Sequence, residues 1–425
     1  MSRLRFSLLI VLVLVLDARA GRAEPQEIAS SLTLDQAVDA TLRENAQLRA
    51  MRARAEAMAE RPAQARALPN PMFKYSAMDP TERGNFADAD EKRFMIEQDF
   101  PGFGKRGLKG KLAEKDAEAM RREYEAMQRE VVMLVKENYF DLYGVQQTIS
   151  ITRREEEVLQ RLAKITTTMY STGERSQQDV IKAQTEITML QQKLLELDQQ
   201  EATLQAKLNL LLNRRADAPL GLTVTAPRDE FAPKSAQLFA LAEKTRAEIK
   251  GAEAQVQRNQ AERDLMKKEF WPDYRLGVEY RAFRPSADPD MVMFTIGFDL
   301  PIWQSKYKAG VREAEKMIES SQAALEAAVR QTSFDVQDAW FKLQTARRTL
   351  DLYRKTLIPQ AELRFQASDA SYRTGKTDFM DLLESERFLL SARVMAAMAE
   401  GTLGMQLARL ERAVGTDLKN VEEKR

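Results

Sequence analysis

FWPDYRLGVEYRAFRPSADPDMVMFTIGFDLPIW, residues 270–303, decides the fold. It opens on Phe270, Trp271 and Pro272 and then alternates. Tyr274, Leu276, Val278 and Tyr280 take one face, and Arg275, Gly277, Glu279 and Arg281 take the other. A polar turn with Pro285 and Pro289 intervenes. Val292, Phe294, Ile296, Phe298 and Leu300 then alternate with Met293, Thr295, Gly297 and Asp299, up to Pro301 and Trp303. Strict period two marks strands with unlike faces. The flanks are long, charged and poor in Gly and Pro, which predicts a β-hairpin between two very long helices. Such a hairpin makes physical sense in a lipid bilayer, with its helices in water.

The bulk composition agrees. The 425 residues carry 65 Lys and Arg against 64 Asp and Glu, a net charge of +1. No basic block separates from the acids, which argues against a nucleic-acid partner. Charged residues make up 30% and aromatics 7%, a balance that suits long solvated helices better than compact cores. The chain has no Cys and no His. Thiol chemistry, disulfides, most zinc and copper site designs and His-based acid/base catalysis are therefore out of reach. Residues 1–23 read as a secretory signal. Arg3 and Arg5 precede an apolar run at 6–16, with small residues for cleavage after Ala20 or Ala23. That run is too short for a spanning helix. Nothing after it resembles one, so any spanning part must be β, which points to an outer membrane.

Taken in order, residues 33–67 predict a helix that Thr33 caps and Pro69 and Pro71 end. Alternation follows at Phe73, Tyr75 and Ala77, then at Phe94, Ile96 and Phe100, and closes at Pro101. A helix spans 105–170, breaks at a Tyr-x-x-Gly turn (Tyr170, Gly173) and resumes over 176–214. Residues 216–234 are a connector, with a short strand at 222–224. The plan then repeats: a helix over 235–269, the hairpin, a helix over 305–371, a break at Tyr372 and Gly375, and a last helix over 378–414. Pro71 matches Pro272, Phe94 matches Phe294 and Tyr170 matches Tyr372, a step of about 200 residues. The expected organisation is a signal at 1–23 and a first repeat at 24–215, with strands at about 71–79 and 92–100 and a turn at about 170–179. A connector at 216–234 leads to a second repeat at 235–417, with strands at about 272–282 and 290–300 and a turn at about 372–384. A charged tail at 418–425 ends the chain.

The strands have the length that a tilted strand needs to cross a bilayer. Two hairpins cannot close a barrel, and open edges do not occur in lipid, so copies must assemble. Four strands per chain make eight in a dimer or twelve in a trimer, and only the larger leaves a useful lumen. Lys74, Glu97, Asp99, Glu279 and Asp299 suit a water-filled interior. Trp271 and Trp303 flank the second hairpin on one side, as indoles do at a membrane interface. A helix of about 66 residues extends about 100 Å. Val329, Val336, Leu343, Leu350 and Leu357 recur at seven-residue steps, which argues coiled-coil packing.

With these features in place, the chain resembles the TolC family of outer membrane factors. These are the exit ducts of tripartite efflux pumps and type I secretion systems. The resemblance rests on the duplication, the Pro-bounded hairpins and the two Tyr-x-x-Gly breaks. Each break is followed by an Asp six residues after its Gly, Asp179 and Asp381. The QDFPGFGKR stretch at 98–106 is most similar to the heavy-metal branch, the CzcC/CusC-like proteins. The resemblance implies a mainly α fold with a small β part, built from a duplicated helix–hairpin–helix–helix unit. It implies a homotrimer with a 12-stranded outer-membrane barrel and a long periplasmic helical coiled-coil tunnel. The implied partners are outer membrane lipid, a periplasmic membrane-fusion adaptor and an inner-membrane pump of RND or ABC type. The function implied is passive export, gated at the periplasmic tip, with heavy-metal cations as candidate cargo. Asp381 and Glu384 fall on the gate acids, where family members often have two Asp. Tyr170, Gly173, Asp179, Tyr372 and Gly375 fall on the tip that meets the adaptor. Tyr372 from the second repeat would tie to Asp179 and Gln178 of the first. The basic residue that often sits two after the second Gly is replaced by Thr377, with Lys376 beside it.

Other motifs carry less. Gly102, Gly104 and Gly107 satisfy G-x-G-x-x-G, but no parallel strand follows and the matching repeat lacks the glycines, so no cofactor is expected. The plainer reading is a flexible turn with Lys105 and Arg106 near lipid headgroups. The 19 Met include Met72, Met78, Met95, Met291 and Met293 on or beside the strands. Thioethers suit Cu(I), although dispersed Met is more often packing. No catalytic set can be placed, so an enzyme is not expected. The rival to a duct is a periplasmic structural coiled-coil or adaptor protein. It would need soluble hairpins, and the faces with Phe73, Tyr75, Phe294 and Phe298 are too apolar for that.

Overall fold

The structure, a computed structural model, describes residues 31–78, 89–174, 176–227, 235–283 and 289–418. The expected signal at 1–23 and the tail from 419 onward lie outside the described residues. The first half runs β1 (Ser31–Leu32), α1 (Leu34–Glu44), α2 (Ala46–Ala59), α3 (Arg61–Arg66), β2 (Met72–Met78), β3 (Glu91–Phe100), α4 (Lys105–Ser171) and α5 (Gln177–Leu211). The second half runs β4 (Leu222–Thr223), α6 (Ser235–Thr245), α7 (Ala247–Lys268), β5 (Tyr274–Phe283), β6 (Met291–Phe298), α8 (Gln304–Leu352), α9 (Ile358–Arg373) and α10 (Phe379–Val414). The four long strands form one antiparallel sheet in the order β2-β3-β5-β6, with β2 and β6 at its edges.

The single helix expected over 33–67 is three helices. Thr33 starts α1 with a capping box: its Oγ1 accepts the Gln36 N–H and Gln36 Oε1 accepts the Thr33 N–H. Asn45 then leaves helical geometry, at φ −60 and ψ 123. Its Oδ1 caps α2 through the Gln47 and Leu48 N–H groups, and its Nδ2 donates to Leu211 O at 2.9 Å. Asn side chains compete for backbone in this way, so the break costs little. Arg246 breaks the matching helix of the second half, so 235–269 divides into α6 and α7. The long helix expected over 305–371 is also divided. A π-helical turn, Tyr353–Leu357, separates α8 from α9 just before Pro359. Pro359 has no N–H to return to the preceding turn, and the helix absorbs the missing bond by widening.

Two contacts hold the middle of the molecule. The first is the crossing of α4 and α10. A Cβ on Gly401 would lie 2.6 Å from Phe140 O, and one on Gly404 would overlap the Phe140 ring. These backbones approach so closely only because both positions lack side chains. The second is Tyr139, fully buried, whose hydroxyl donates to Leu32 O at 2.8 Å. The same oxygen accepts the N–H groups of Val224 (3.1 Å) and Thr225 (2.9 Å). One phenol thus pins the chain on either side of the parallel β1–β4 pair. Of the heptad positions, Val336, Leu343 and Leu350 are buried in one core cluster, with Val329 and Leu357 half-buried.

The joint between β3 and α4 is not a flexible turn beside lipid. Lys105 is 2% exposed, and its Nζ lies 2.8 Å from Asp273 Oδ1 and 3.3 Å from Glu269 Oε2. The Gly102 N–H donates to the same Asp273 oxygen at 2.6 Å. Arg106 donates to Arg66 O. Lys105 clamps the two halves together where strand becomes helix, and Arg106 ties the joint to the end of α3 within the first half.

Two substitutions test this frame. Gly401→Val forces α4 and α10 apart and is expected to cost about 1–3 kcal/mol in the unfolding of the detergent-purified protein. Tyr139→Phe strands the Thr225 amide, because the Val224 N–H still reaches Leu32 O at 3.3 Å, and is expected to cost about 1–3 kcal/mol. Faster hydrogen exchange at Thr225 would mark that loss.

Candidate functional site

The sheet sorts its side chains by chemistry. Pairing places Lys74 opposite Met95, Met95 opposite Glu279, and Glu279 opposite Met293. Residues directly opposite in an antiparallel pair share a face. One face therefore collects Lys74, Glu91, Arg93, Glu97, Asp99, Arg275, Glu279 and Arg281. Arg275 Nε bridges Asp99 (2.7 Å) and Glu97 (3.0 Å), and Arg281 pairs with Glu279. Asp299 lies just past β6 and donates its N–H to Asp273 O at 3.1 Å. Met72, Met78, Met95, Met291 and Met293 all fall on this charged face. The other face is apolar: Phe73, Tyr75, Phe94, Ile96, Val278, Tyr280, Val292, Phe294 and Ile296. Tyr75, Phe94 and Tyr280 form an aromatic row with centroids 5.1 Å and 6.3 Å apart. Phe294 is 77% exposed, and its apolar neighbours are exposed as well. Such a contiguous apolar surface needs a nonaqueous neighbour.

Trp271 and Trp303 stand exposed at the helix end of this sheet, beside exposed Phe103. No helix among the described residues is long and apolar enough to cross a membrane.

At the far ends of the coils, the two turns repeat one hydrogen-bond pattern. The Gly173 N–H donates to Tyr170 O and the Glu174 N–H to Met169 O. The Gly375 N–H donates to Tyr372 O and the Lys376 N–H to Ser371 O. Gly173 has φ 79 and Gly375 φ 75, the left-handed geometry that closes a helix in a Schellman motif. The Tyr-x-x-Gly spacing is thus a helix stop. The two Tyr differ sharply: Tyr170 is 45% exposed and Tyr372 is 1% exposed. Tyr372 packs on Phe379, and its hydroxyl lies 3.4 Å from Thr166 Oγ1 on α4 of the first half. Asp179 is half-buried in the first turn of α5.

Asp381 and Glu384 lie exposed on one side of α10, with Asp381 in its first turn. Asp378 caps this helix by accepting the Asp381 N–H. Glu384 is not a free acid: Arg364 Nη2 lies 2.9 Å away. The reading from sequence missed a cross-coil contact, the two hydrogen bonds from Arg387 on α10 to Glu186 on α5. Its signal was present, since Arg387 stands beside a stripe of apolar residues, but its partner is in the other repeat. Among the described residues, no group of three or more acids is arranged to hold a metal ion.

A half-buried sheet with unlike faces, two antiparallel coils and matched turns can then be set against known proteins. The outer membrane efflux protein family matches residues 37–214 and 238–416, which is most of the chain and both repeats. The cobalt-zinc-cadmium resistance protein CzcC of Cupriavidus metallidurans is 23% identical over 404 residues, 92% of each chain. The solved structure of CusC aligns with a TM-score of 0.77 at 17% identity, covering 90% of this chain and 92% of that one. The MtrE outer membrane channel of Neisseria gonorrhoeae, in its open state, aligns at 0.74 and 19% identity, covering 90% and 89%. At these identities the structural likeness speaks for the fold. The family match over both halves speaks for membership, and the chain belongs to the outer membrane efflux protein family.

Proposed function

We propose that three copies of this chain close their sheets into one 12-stranded barrel and act as the exit duct of a tripartite efflux pump. The observation that carries this reading is the open four-stranded sheet, apolar on one face and charged on the other. Its order alternates direction throughout, so β6 of one copy meets β2 of the next antiparallel. Closure then continues a single pattern and leaves no edge in lipid. Lys74, Glu97, Asp99, Glu279 and Asp299 line the lumen, and Trp271 and Trp303 ride at the inner interface. Residues 1–23 direct secretion and are removed. The two repeats, 24–215 and 235–417, supply two strands each.

Below the membrane the coils form the tunnel wall, and the turns around Tyr170, Gly173, Asp179, Tyr372 and Gly375 meet a periplasmic adaptor. An inner-membrane pump of RND or ABC type supplies the work, so the duct itself is passive. The lumen carries nearly equal numbers of acids and bases, which gives little selectivity of its own. Selectivity for charge belongs at the throat, where Asp381 and Glu384 from three copies converge. Like charges at close range repel one another and draw cations. Arg364 compensates Glu384 within each copy, so Asp381 is the stronger contributor. The name of the CzcC relative supports divalent heavy-metal cations as cargo.

The test is conductance of purified trimers in planar bilayers. The native duct is expected to pass a small, cation-selective current. Asp381→Ala/Glu384→Ala is expected to raise the current or abolish the selectivity, and Asp381→Asn to act more strongly than Glu384→Gln. Large currents that are equal in native and variant proteins would move the gate elsewhere. A trimer that passes no current at all would end the duct reading.

A further inference from the structure

Just above the tip, one layer of the helix packing is made of glutamates. Leu159 and Leu162 of α4, Ala183 and Leu190 of α5, and Leu382 and Leu383 of α10 form an apolar cluster with Tyr372 and Phe379. Glu155 lies one turn before Leu159, Glu186 lies between Ala183 and Leu190, and Glu386 lies one turn after Leu382. All three continue the apolar stripes of their helices. Glu386 is 1% exposed, Glu155 is 3% exposed and Glu186 is buried with them.

The bases present do not balance this layer. Arg387 of α10 is taken by Glu186. Arg393 of α10 lies 3.8 Å from Glu155 but 3.0 Å from Glu362 of α9, so it is shared toward the outside. Among the described residues, Glu386 has no base of its own, and its Oε1 meets no donor. Its carboxyl neighbours are Glu155 and Glu186. Two carboxyl groups can hydrogen-bond only when one keeps its proton. Burial, then the hydrogen bond to Glu155 and the charges of Glu155 and Glu186, push the Glu386 carboxyl up to about 10, against the pull of Arg387.

We propose that Glu386 keeps a proton and donates it to the carboxyl group of Glu155, one residue from each coiled coil, that this bond ties the second coil to the first, and that losing the proton loosens the tip. The proposal rests on the gate reading above for its effect on current, and on this layer alone for the tie. When the proton leaves to solvent, two carboxylates face each other in a dry layer beside a third. The repulsion acts across the seam between α4 and α10, which is the seam that must part if the second coil swings.

The sign of the pH effect follows. The packed layer raises the affinity of Glu386 for its proton above that of a free glutamate, with its ordinary value of 4.5. Its contribution to the closed packing is therefore full below that value and is lost as pH climbs toward about 10. Alkaline conditions favour a looser tip and acid conditions a tighter one.

The absence of Cys makes the test clean. Spin labels at Ser171→Cys and Lys376→Cys, both exposed beside the two turns, report the separation of the tips in trimers diluted with unlabelled chain. In the native background the separation is expected to grow from about pH 5 to about pH 10, with current rising about threefold or more. Glu386→Gln keeps a hydrogen-bond donor to Glu155 but cannot titrate. It is expected to hold the acid-state separation and current at every pH. If that variant does not fold, Glu155→Gln serves instead: it removes the facing carboxyl while Glu386 still titrates, so it is expected to weaken the pH response, and a response equal to the native one overturns the proposal. A native protein with no pH response over this range, or a Glu386→Gln protein that keeps the native response, overturns the proposal. Tips that respond in the native protein and not in the variant, in trimers that pass no current, uphold the tie and end the duct reading.

Discussion

The two edges of the four-stranded sheet set the terms for everything else. Strands β2 and β6 each present a row of backbone donors and acceptors that the sheet does not pair. In water such a row is a mild liability; in hydrocarbon each open group costs several kcal/mol. The exposed apolar face, from Phe73 across to Phe294, places the sheet against hydrocarbon. In the proposed trimer, the edge strands of further copies cover these rows. Every strand–helix joint then has to stop a helix at a membrane face, which is where Pro69, Pro71, Pro101, Pro272 and Pro301 stand.

The two halves of the chain are alike in plan and unlike in the places where movement would matter. Both tips use the same glycine-terminated helix stop. Only Tyr372 is turned inward to meet the other half, while Tyr170 stays exposed. Among the described residues, only the second half carries a π-helical turn in its long helix. The close crossing of α4 and α10 at Gly401 and Gly404 packs the middle of the molecule tightly. The buried glutamate layer lies beyond it, toward the tip. Buried charge is a poor source of stability. Placed at a seam between two coils, it makes the packing there sensitive to protonation.

Much of this fold was legible. The period-two runs, the Pro-bounded joints and the repeated Tyr-x-x-Gly breaks are local patterns, and local patterns survive in a sequence. Reading failed at contacts from elsewhere in the chain and at one local break. Asn45 divides the first helix because its amide also reaches Leu211. Pro359 was overlooked inside a strongly helical stretch, and the structure keeps the helix going by a π turn. Lys105, read as a headgroup contact, is buried because Glu269 and Asp273 from the second half close over it. Its salt bridges turned a glycine-rich turn into a clamp.

The sequence by itself determined the alternation of strands and helices, the duplication and the unlike faces of the hairpins. These follow from side-chain periods of two and of 3.6, which need no knowledge of the rest of the chain. Only the tertiary structure decided which charges are compensated. Asp381 and Glu384 look equivalent along the helix, yet Arg364 occupies one of them. Glu155 and Glu386 look like ordinary members of charged helices on opposite halves of the chain. The packing of α4 against α10 brings them into one dry layer, because helix packing, and not sequence spacing, determines which stripes face each other.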